Sequence, residues 1–470
     1  MTSQPSTPPD STSRKSQWTL PTVLTVACLG VGAWAVPQYA QSQQLEEDST
    51  HEITVAAPIS PAAPSASGSA DASALKKELD SIANGFSAGN ISGLVMDAQS
   101  GEVLYSRNSN TARIPASNFK ILTDYALLRT ENPYARYSTS VVQKDSSLTL
   151  KAGGDTLLSP GKSDDSKIVG RAGLKTLAED TVAALKDGEQ KKFTVNRDTS
   201  MYTGPDINSA WAQEDIDAGF VNRISPMAFL SHYNPTADNQ ASTTRPSEPA
   251  LKVHQRFVDE LNAAGKSAGL SFTLGDKTSA PEEASEVASV ESATVAEQAG
   301  YMMRESDNML AEALARNAAV AAGKEGSFEN AKTLVRETLE KDGILTEGLK
   351  QDDLCGLSMK NRVTNETLAQ VIRTMVRGEN NLSAGLDGFP VAGGSGTLAT
   401  RFDDKNEAGA RGYARAKTGT LNKVISLSGY TENANGQVLI YSFITNDLTD
   451  VGAAKNAVDA SVATVTGRNK

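Results

Sequence analysis

Three short polar clusters stand in this chain in one order: Ser117-Asn118-Phe119-Lys120, Ser306-Asp307-Asn308 and Lys417-Thr418-Gly419-Thr420. They supply a hydroxyl nucleophile, a lysine three residues on that can take its proton, a second hydroxyl with a second lysine, and a strand along which a peptide can lie. This is the equipment for acyl transfer through a serine ester without histidine. A lysine acts as a base only when its free amine is populated, which requires burial or a nearby positive charge to lower a pKa of about 10.4. Lys417 could supply that charge.

The surrounding sequence indicates what must position these groups. Ile114-Pro115-Ala116 leads into Ser117, and Phe119, Ile121, Leu122, Tyr125, Ala126 and Leu128 follow at the spacing of a buried helix. Ser117 then opens the helix, with Lys120 one turn beneath it. The helix start aims N–H groups at the place where acyl oxyanion charge develops. Ser306-Asp307-Asn308 interrupts a helical pattern running from Val295 through Met302 and Met303 to Met309, Leu310, Ala313 and Leu314. It reads as a short loop between two helices, with side chains pointing into a cleft.

Arg415 to Leu421 reads as a strand whose Gly419 leaves room for a bound backbone. It continues through Val424 to Tyr430, an Asn435-Gly436 turn and a returning strand, Val438 to Ile444. The edge of such a hairpin can pair with an extended peptide. Ser-x-x-Lys recurs at Ser73 to Lys76, beside a Pro/Ala/Ser-rich stretch, and at Ser159 to Lys162, before Ser163-Asp164-Asp165-Ser166. Neither has an apolar face to fix its side chains, so neither is taken as catalytic.

Order, spacing and local pattern together resemble the serine penicillin-recognising enzymes. The resemblance is to the D-alanyl-D-alanine carboxypeptidase/endopeptidase family of class C low-molecular-mass penicillin-binding proteins, over roughly residues 74 to 466. Supporting stretches include Gly93 to Asp97 with Gly101 to Tyr105, Gly153-Gly154-Asp155, Trp211 with Asp215, Ile224-Ser225-Pro226, Gly356-Leu357-Ser358 with Asn361 to Thr364, and Leu386 to Phe402.

The resemblance implies that Ser117 is acylated by the penultimate D-alanine carbonyl, with Lys120 as general base. Ser306 passes the proton to the leaving D-alanine, supported by Lys417. Asn308 binds the acyl side chain, Thr418 and Thr420 with Gly419 hold the terminal carboxylate, and the N–H groups of Ser117 and Thr420 form the oxyanion hole. Water resolves the acyl-enzyme. The substrates implied are peptidoglycan peptides, with β-lactams as covalent inhibitors and no metal or cofactor. The family's Asp-Gly-Ser-Gly-Leu-Ser-Arg run appears here as Asp353-Leu354-Cys355-Gly356-Leu357-Ser358-Met359. A serine and an arginine are replaced, and Met359 bears on how a diaminopimelate side chain is gripped.

Two alternatives stay open at this point. A β-lactamase would share the first steps, but no Glu-x-x-Leu-Asn sequence lies between Asn308 and Gly394. A wall-associated or β-lactam-binding protein without turnover would keep the same residues.

The implied fold is α/β (α+β): a penicillin-binding-protein/β-lactamase-like transpeptidase domain, its antiparallel sheet flanked by helices, interrupted by an insert. The gap of 189 positions from Ser117 to Ser306, against 111 from Ser306 to Lys417, places an inserted mixed domain at 137–290. The catalytic domain is then 74–136 with 291–470, closed by a helix over Val451 to Val462.

Residues 1–17 read as a cytoplasmic tail. Trp18 to Val36 is 19 residues without charge after Arg14 and Lys15, long enough to span a bilayer. Ala33-Trp34-Ala35 also fits a signal-peptidase site, so retained anchor and cleaved signal both stand. Residues 37–73, rich in Pro, Ala, Ser and Gln, suit a tether. The reading places the rest of the chain outside the cytoplasm, in a bacterial cell envelope. A formal charge of −11 argues against nucleic-acid binding, and three histidines argue against a His-rich metal site. His232, in Leu230-Ser231-His232-Tyr233, is read as a packed strand histidine. With one cysteine at Cys28 in the apolar segment and the other at Cys355, no intradomain disulfide is expected.

Overall fold

The computed structural model describes residues 71–468. The expected tail, the membrane or signal segment and nearly all of the tether lie outside the described residues. Among the described residues no helix is long and apolar enough to cross a membrane.

The described chain opens with α1 (Ala72–Gly85), capped by Asp71, whose carboxylate accepts from Ser73 N and Ala74 N. Then come β1 (Asn90–Asp97), β2 (Val103–Arg107), a 3-10 turn (Ala116–Phe119) and α2 (Lys120–Thr130). β3 (Arg136–Lys144), β4 (Ser147–Lys151), α3 (Leu174–Leu185), β5 (Lys192–Asp198), α4 (Pro249–Gly265), β6 (Ser271–Lys277) and β7 (Ser285–Thr294) follow. The chain continues through α5 (Val295–Glu305), α6 (Asn308–Ala321), α7 (Phe328–Lys341), α8 (Asn365–Val376), β8 (Arg415–Leu421), β9 (Val424–Glu432), β10 (Val438–Asn446) and α9 (Val451–Thr466).

The strands form two five-stranded sheets, ordered β2-β1-β10-β9-β8 and β6-β5-β4-β3-β7. In the first, every pairing is antiparallel. Its strands are rich in β-branched and aromatic residues, and both faces are covered, which is why β9 and β10 are buried almost throughout. On one face α1 and α9 pack Leu79, Val458 and Val462 against Val95, Leu427 and Tyr441. On the other, α2, α5, α6 and α8 share a core with Ile440 and Ile444. Helix α2 lies at its centre, with Ile121, Leu122, Tyr125 and Leu127 fully buried. A helix enclosed on all sides needs apolar residues all round, so the buried Lys120, Thr123 and Asp124 on it are exceptions that need partners.

The second sheet is mixed. β3 pairs antiparallel with β4 and β7, and β4-β5-β6 run parallel. Parallel neighbours need crossovers, and the segments joining them carry α3 and α4. These bury Leu177, Val253 and Phe257 on Leu150, Phe193 and Val195 in a separate core. This sheet begins at Arg136 and ends at Thr294, so β7 runs past the expected limit of the insert.

Candidate active site

Four elements meet at Ser117. The serine does not open α2 directly: it sits in the 3-10 turn before it, and Lys120 is the first α-helical residue. Ala116, just ahead, has φ +49°, a left-handed conformation that costs a non-glycine residue about 1 kcal/mol. Two glycines press on this point. A Cβ at Gly356 would lie 2.0 Å from the Ala116 carbonyl oxygen, and one at Gly419 would lie 2.2 Å from Ser426 Oγ and 2.8 Å from the Pro115 carbonyl oxygen. The missing side chain of Gly419 therefore admits the chain's own 115–116 backbone, and not a bound peptide as the sequence suggested. Asn118 Nδ2 donates to the Lys417 carbonyl at 2.9 Å, tying the turn to β8.

Lys120 is wholly buried, and its Nζ has three neighbours: Asn308 Oδ1 at 2.7 Å, the Cys355 carbonyl at 2.6 Å and Ser117 Oγ at 3.2 Å. A neutral amine has two N–H donors and one lone pair. With the donors spent on Asn308 and Cys355, the lone pair is left for the Ser117 hydroxyl proton. Burial lowers the Lys120 pKa, with Cys355, Asp353, Asp307 and Glu312 opposing the shift.

The second hydroxyl–lysine pair is also formed. Lys417 Nζ donates to Ser306 Oγ at 2.8 Å and to the Thr418 carbonyl at 2.9 Å. Burial lowers the Lys417 pKa further, and Lys120 adds to that. Sequence reasoning had Lys417 depressing Lys120. In the structure burial is the largest cause for both amines, and the two positive charges disfavour each other. Ser306 occupies the left-handed C-cap of α5 at φ +59°, and Asp307 caps α6 by accepting from Leu310 N at 3.0 Å. Helix α6 then starts at Asn308, whose Nδ2 donates to the Phe220 carbonyl at 3.1 Å.

β8 is an edge strand of the first sheet. Its first part is covered, since Ala416 N donates to the Pro390 carbonyl at 3.0 Å. Backbone groups alternate along a strand, so the N–H groups of Thr418 and Thr420 face that same outer side. Thr418 Oγ1 lies 2.7 Å from Thr397 Oγ1, and Thr420 is exposed. Hydrogen bonds thus join Ser117, Lys120 and Asn308, join Ser306 to Lys417, and tie the Ser117 turn to β8 at Lys417, with Thr418, Gly419 and Thr420 following on that strand.

Sequence reasoning did not find Glu312, although it lies one turn after Asn308 on the same helix face. It is buried, and its Oε1 accepts from both Leu354 N and Cys355 N at 2.8 Å. Glu312, Asp353 and Cys355 bring three ligand-capable atoms within 4.8 Å of one another. The carboxylates are already used by N–H donors, however. Asp353 accepts from Gly356 N, Ser358 N, Asn361 Nδ2 and Trp211 Nε1. That saturation makes the group a clamp on the 353–358 loop and leaves little for a cation. Cys355 is a free, buried thiol, and Met359 is exposed.

The other Ser-x-x-Lys sites have local partners of their own. Ser73 and Lys76 are on α1, where Lys76 pairs with Asp80, and Lys162 is an exposed partner of Glu179 at 3.1 Å. His232 is packed as expected, but on a left-handed turn (Leu230, Ser231 and His232 at φ +49°, +55° and +64°) and not on a strand. Its Nε2 accepts from Ser225 N at 3.1 Å, and burial pushes its pKa down to about 3, so it stays neutral.

The family model described as the D-Ala-D-Ala carboxypeptidase 3 (S13) family matches residues 75–241 and 234–467. The carboxypeptidase DacB of Mycolicibacterium smegmatis is 34% identical over 385 residues, 80% of each chain. A carboxypeptidase of Mycobacterium tuberculosis is 34% identical over 382 residues, 79% of each chain. The fold is similar to that of penicillin binding protein 4 from Haemophilus influenzae, with TM-score 0.66 and 18% identity over 85% of this chain and 100% of that one. The chain belongs to the D-Ala-D-Ala carboxypeptidase 3 (S13) family.

Proposed function

We propose that this serine D-Ala-D-Ala carboxypeptidase uses Ser117 as its nucleophile and Lys120 as the base that receives the hydroxyl proton. The observation that carries the reading is the buried Lys120 Nζ 3.2 Å from Ser117 Oγ, with Asn308 and the Cys355 carbonyl placed to accept both N–H groups of the neutral amine, so that in that form its lone pair faces the serine. Burial keeps the free amine available below the ordinary lysine range. The penultimate D-alanine carbonyl carbon takes the Ser117 oxygen, and the resulting oxyanion faces the N–H groups of Ser117 and Thr420. Ser306, hydrogen-bonded to Lys417 at 2.8 Å, delivers a proton to the departing D-alanine nitrogen. Water then cleaves the ester.

The free outer edge of β8 suits an extended peptide, with Thr418 and Thr420 at its terminal carboxylate and Asn308 at the acyl side chain. The same acyl-enzyme supports endopeptidase action when the leaving group is a crosslinked strand. β-Lactams trap it by acylating the same oxygen. Peptidoglycan peptides as substrates place the enzyme in the cell envelope, and the uncharged 18–36 segment would hold it at the membrane as an anchor if it is not removed as a signal. The 137–290 segment, whose sheet reaches on to Arg136 and Thr294 and whose core is separate, is an insert between the 74–136 and 291–470 parts of the catalytic unit.

Incubation with a pentapeptide ending in D-Ala-D-Ala tests the reading. Free D-alanine should appear with the wild-type chain and not with Ser117→Ala. Equal release by both would remove Ser117 from the mechanism.

A further inference from the structure

One of the two acceptors that orient the Lys120 amine is a loop carbonyl, that of Cys355, 2.6 Å away. A loop carbonyl aims an amine only if the backbone on both sides of it is fixed: on the far side the N–H that shares its peptide, that of Gly356, donates to Asp353 Oδ1 at 2.8 Å, and on the near side Glu312 takes two amides. The amide of Leu354 and the amide of Cys355 both donate to Glu312 Oε1 at 2.8 Å. The Leu354 carbonyl between them accepts from Thr123 Oγ1 at 2.7 Å, on the helix that carries Lys120. Glu312 itself lies one turn beyond Asn308, the residue that supplies the other acceptor. Helix α6 thus holds Lys120 Nζ twice, directly through Asn308 and indirectly through Glu312 and the Leu354–Cys355 backbone that leads into the Cys355 carbonyl.

We infer that Glu312 is a positioning residue for the acylation step: by binding the amides of Leu354 and Cys355 it aims the Cys355 carbonyl at Lys120 Nζ, and so turns the amine's lone pair on Ser117. A buried carboxylate is a costly way to fill a core, and apolar residues of similar volume usually serve stability as well or better. The inference rests on the reading of Lys120 as the base.

The groups facing Glu312 come from three elements: Asp353 and the Cys355 thiol from the loop, Lys120 from α2, and Arg316 further along α6. Burial and then Asp353 push Glu312 up to about 7, while the amide donors pull it back. Its negative charge favours the protonated form of Lys120.

The test compares wild type, Glu312→Gln and Glu312→Ala as full chains. It measures the rate of acylation by a fluorescent penicillin and of D-alanine release from a pentapeptide across pH, with thermal melting of each variant. Gln keeps an acceptor oxygen and the volume but no charge, whereas Ala removes both. Glu312→Ala should lose on the order of 10²-fold in kcat, because the amine is no longer held in line, with KM changed less than about threefold. Glu312→Gln should recover to within about tenfold of wild type. The acid limb of its profile should lie at lower pH, because losing the negative charge makes Lys120 easier to deprotonate.

A folded Glu312→Ala acylating at the wild-type rate would overturn the inference, and so would a Glu312→Gln that loses as much as Ala. If Glu312→Ala does not fold, the rate and acid limb of Glu312→Gln decide. Failure of the wild type to be labelled would instead overturn the reading of Ser117 itself.

Discussion

Ser117 with Lys120 and Ser159 with Lys162 have the same spacing and opposite settings. Lys120 is 0% exposed and held by two acceptors, while the Lys162 side chain is 66% exposed and paired with Glu179. Ser117 is in contact with its lysine amine. Ser159 Oγ instead accepts from Gly161 N at 3.0 Å, a local turn contact. Four residues in a row therefore do not define a base. Removal from water sets the two apart, because burial drives the Lys120 amine toward the neutral form, and its fixed acceptors turn the lone pair toward the serine.

The sharpest way to break this comparison is to delete both hydroxyls. Ser117→Ala should lose on the order of 10⁴-fold or more in penicillin acylation, while Ser159→Ala acylates like wild type; gel fluorescence reads both. Removing the amines comes next. Lys120→Met should cost about 10²–10⁴-fold in kcat/KM and Lys162→Met nothing measurable. In wild type the acid limb of kcat/KM should fall where Lys120 gains its proton, below the ordinary lysine range.

A third substitution tests the packing behind Ser117. Gly419→Ala puts a methyl 2.2 Å from Ser426 Oγ, and should cost about 1–3 kcal/mol by overpacking as well as slowing acylation. Gly85→Ala, with nothing within 4 Å, should stay within about 1 kcal/mol of wild type. Chemical denaturation measures both.

A fourth test concerns Asp124, one turn from Lys120 on α2. It is buried with neither carboxylate oxygen hydrogen-bonded, and burial pushes it up to about 8. The folded state then binds more protons than the unfolded state between about pH 4 and 8, so this group's contribution to stability is lost as pH rises through that range. Lys120 acts with the opposite sign, since its lowered pKa makes stability rise with pH below the ordinary lysine range. Asp124→Asn should therefore make the pH 4 to 8 stability profile rise more, or fall less, than wild type. Urea midpoints at both ends of that range measure it.

Much of this arrangement was legible in the chain because local pattern encodes it. The α2 stripe, the α5–α6 junction at Ser306 and the β8-β9-β10 meander all carry their own periodicity and turn residues. The resemblance to a known family joined those distant pieces, which periodicity alone could not do. Glu312 was not legible, because its role depends on two backbone amides more than forty positions away in the sequence. Gly419 was misread for a related reason: a glycine announces a close approach, but not which chain makes it. His232 failed on backbone conformation, since three successive left-handed residues leave little trace in composition.

The central claim is that burial singles out one serine among three Ser-x-x-Lys sequences. It is tested most directly by digesting penicillin-treated protein and locating the penicilloyl group by tandem mass spectrometry. The account predicts a single adduct on the peptide containing Ser117, absent in Ser117→Ala. An adduct on Ser73, Ser159 or Ser306, or one that persists in Ser117→Ala, would contradict it.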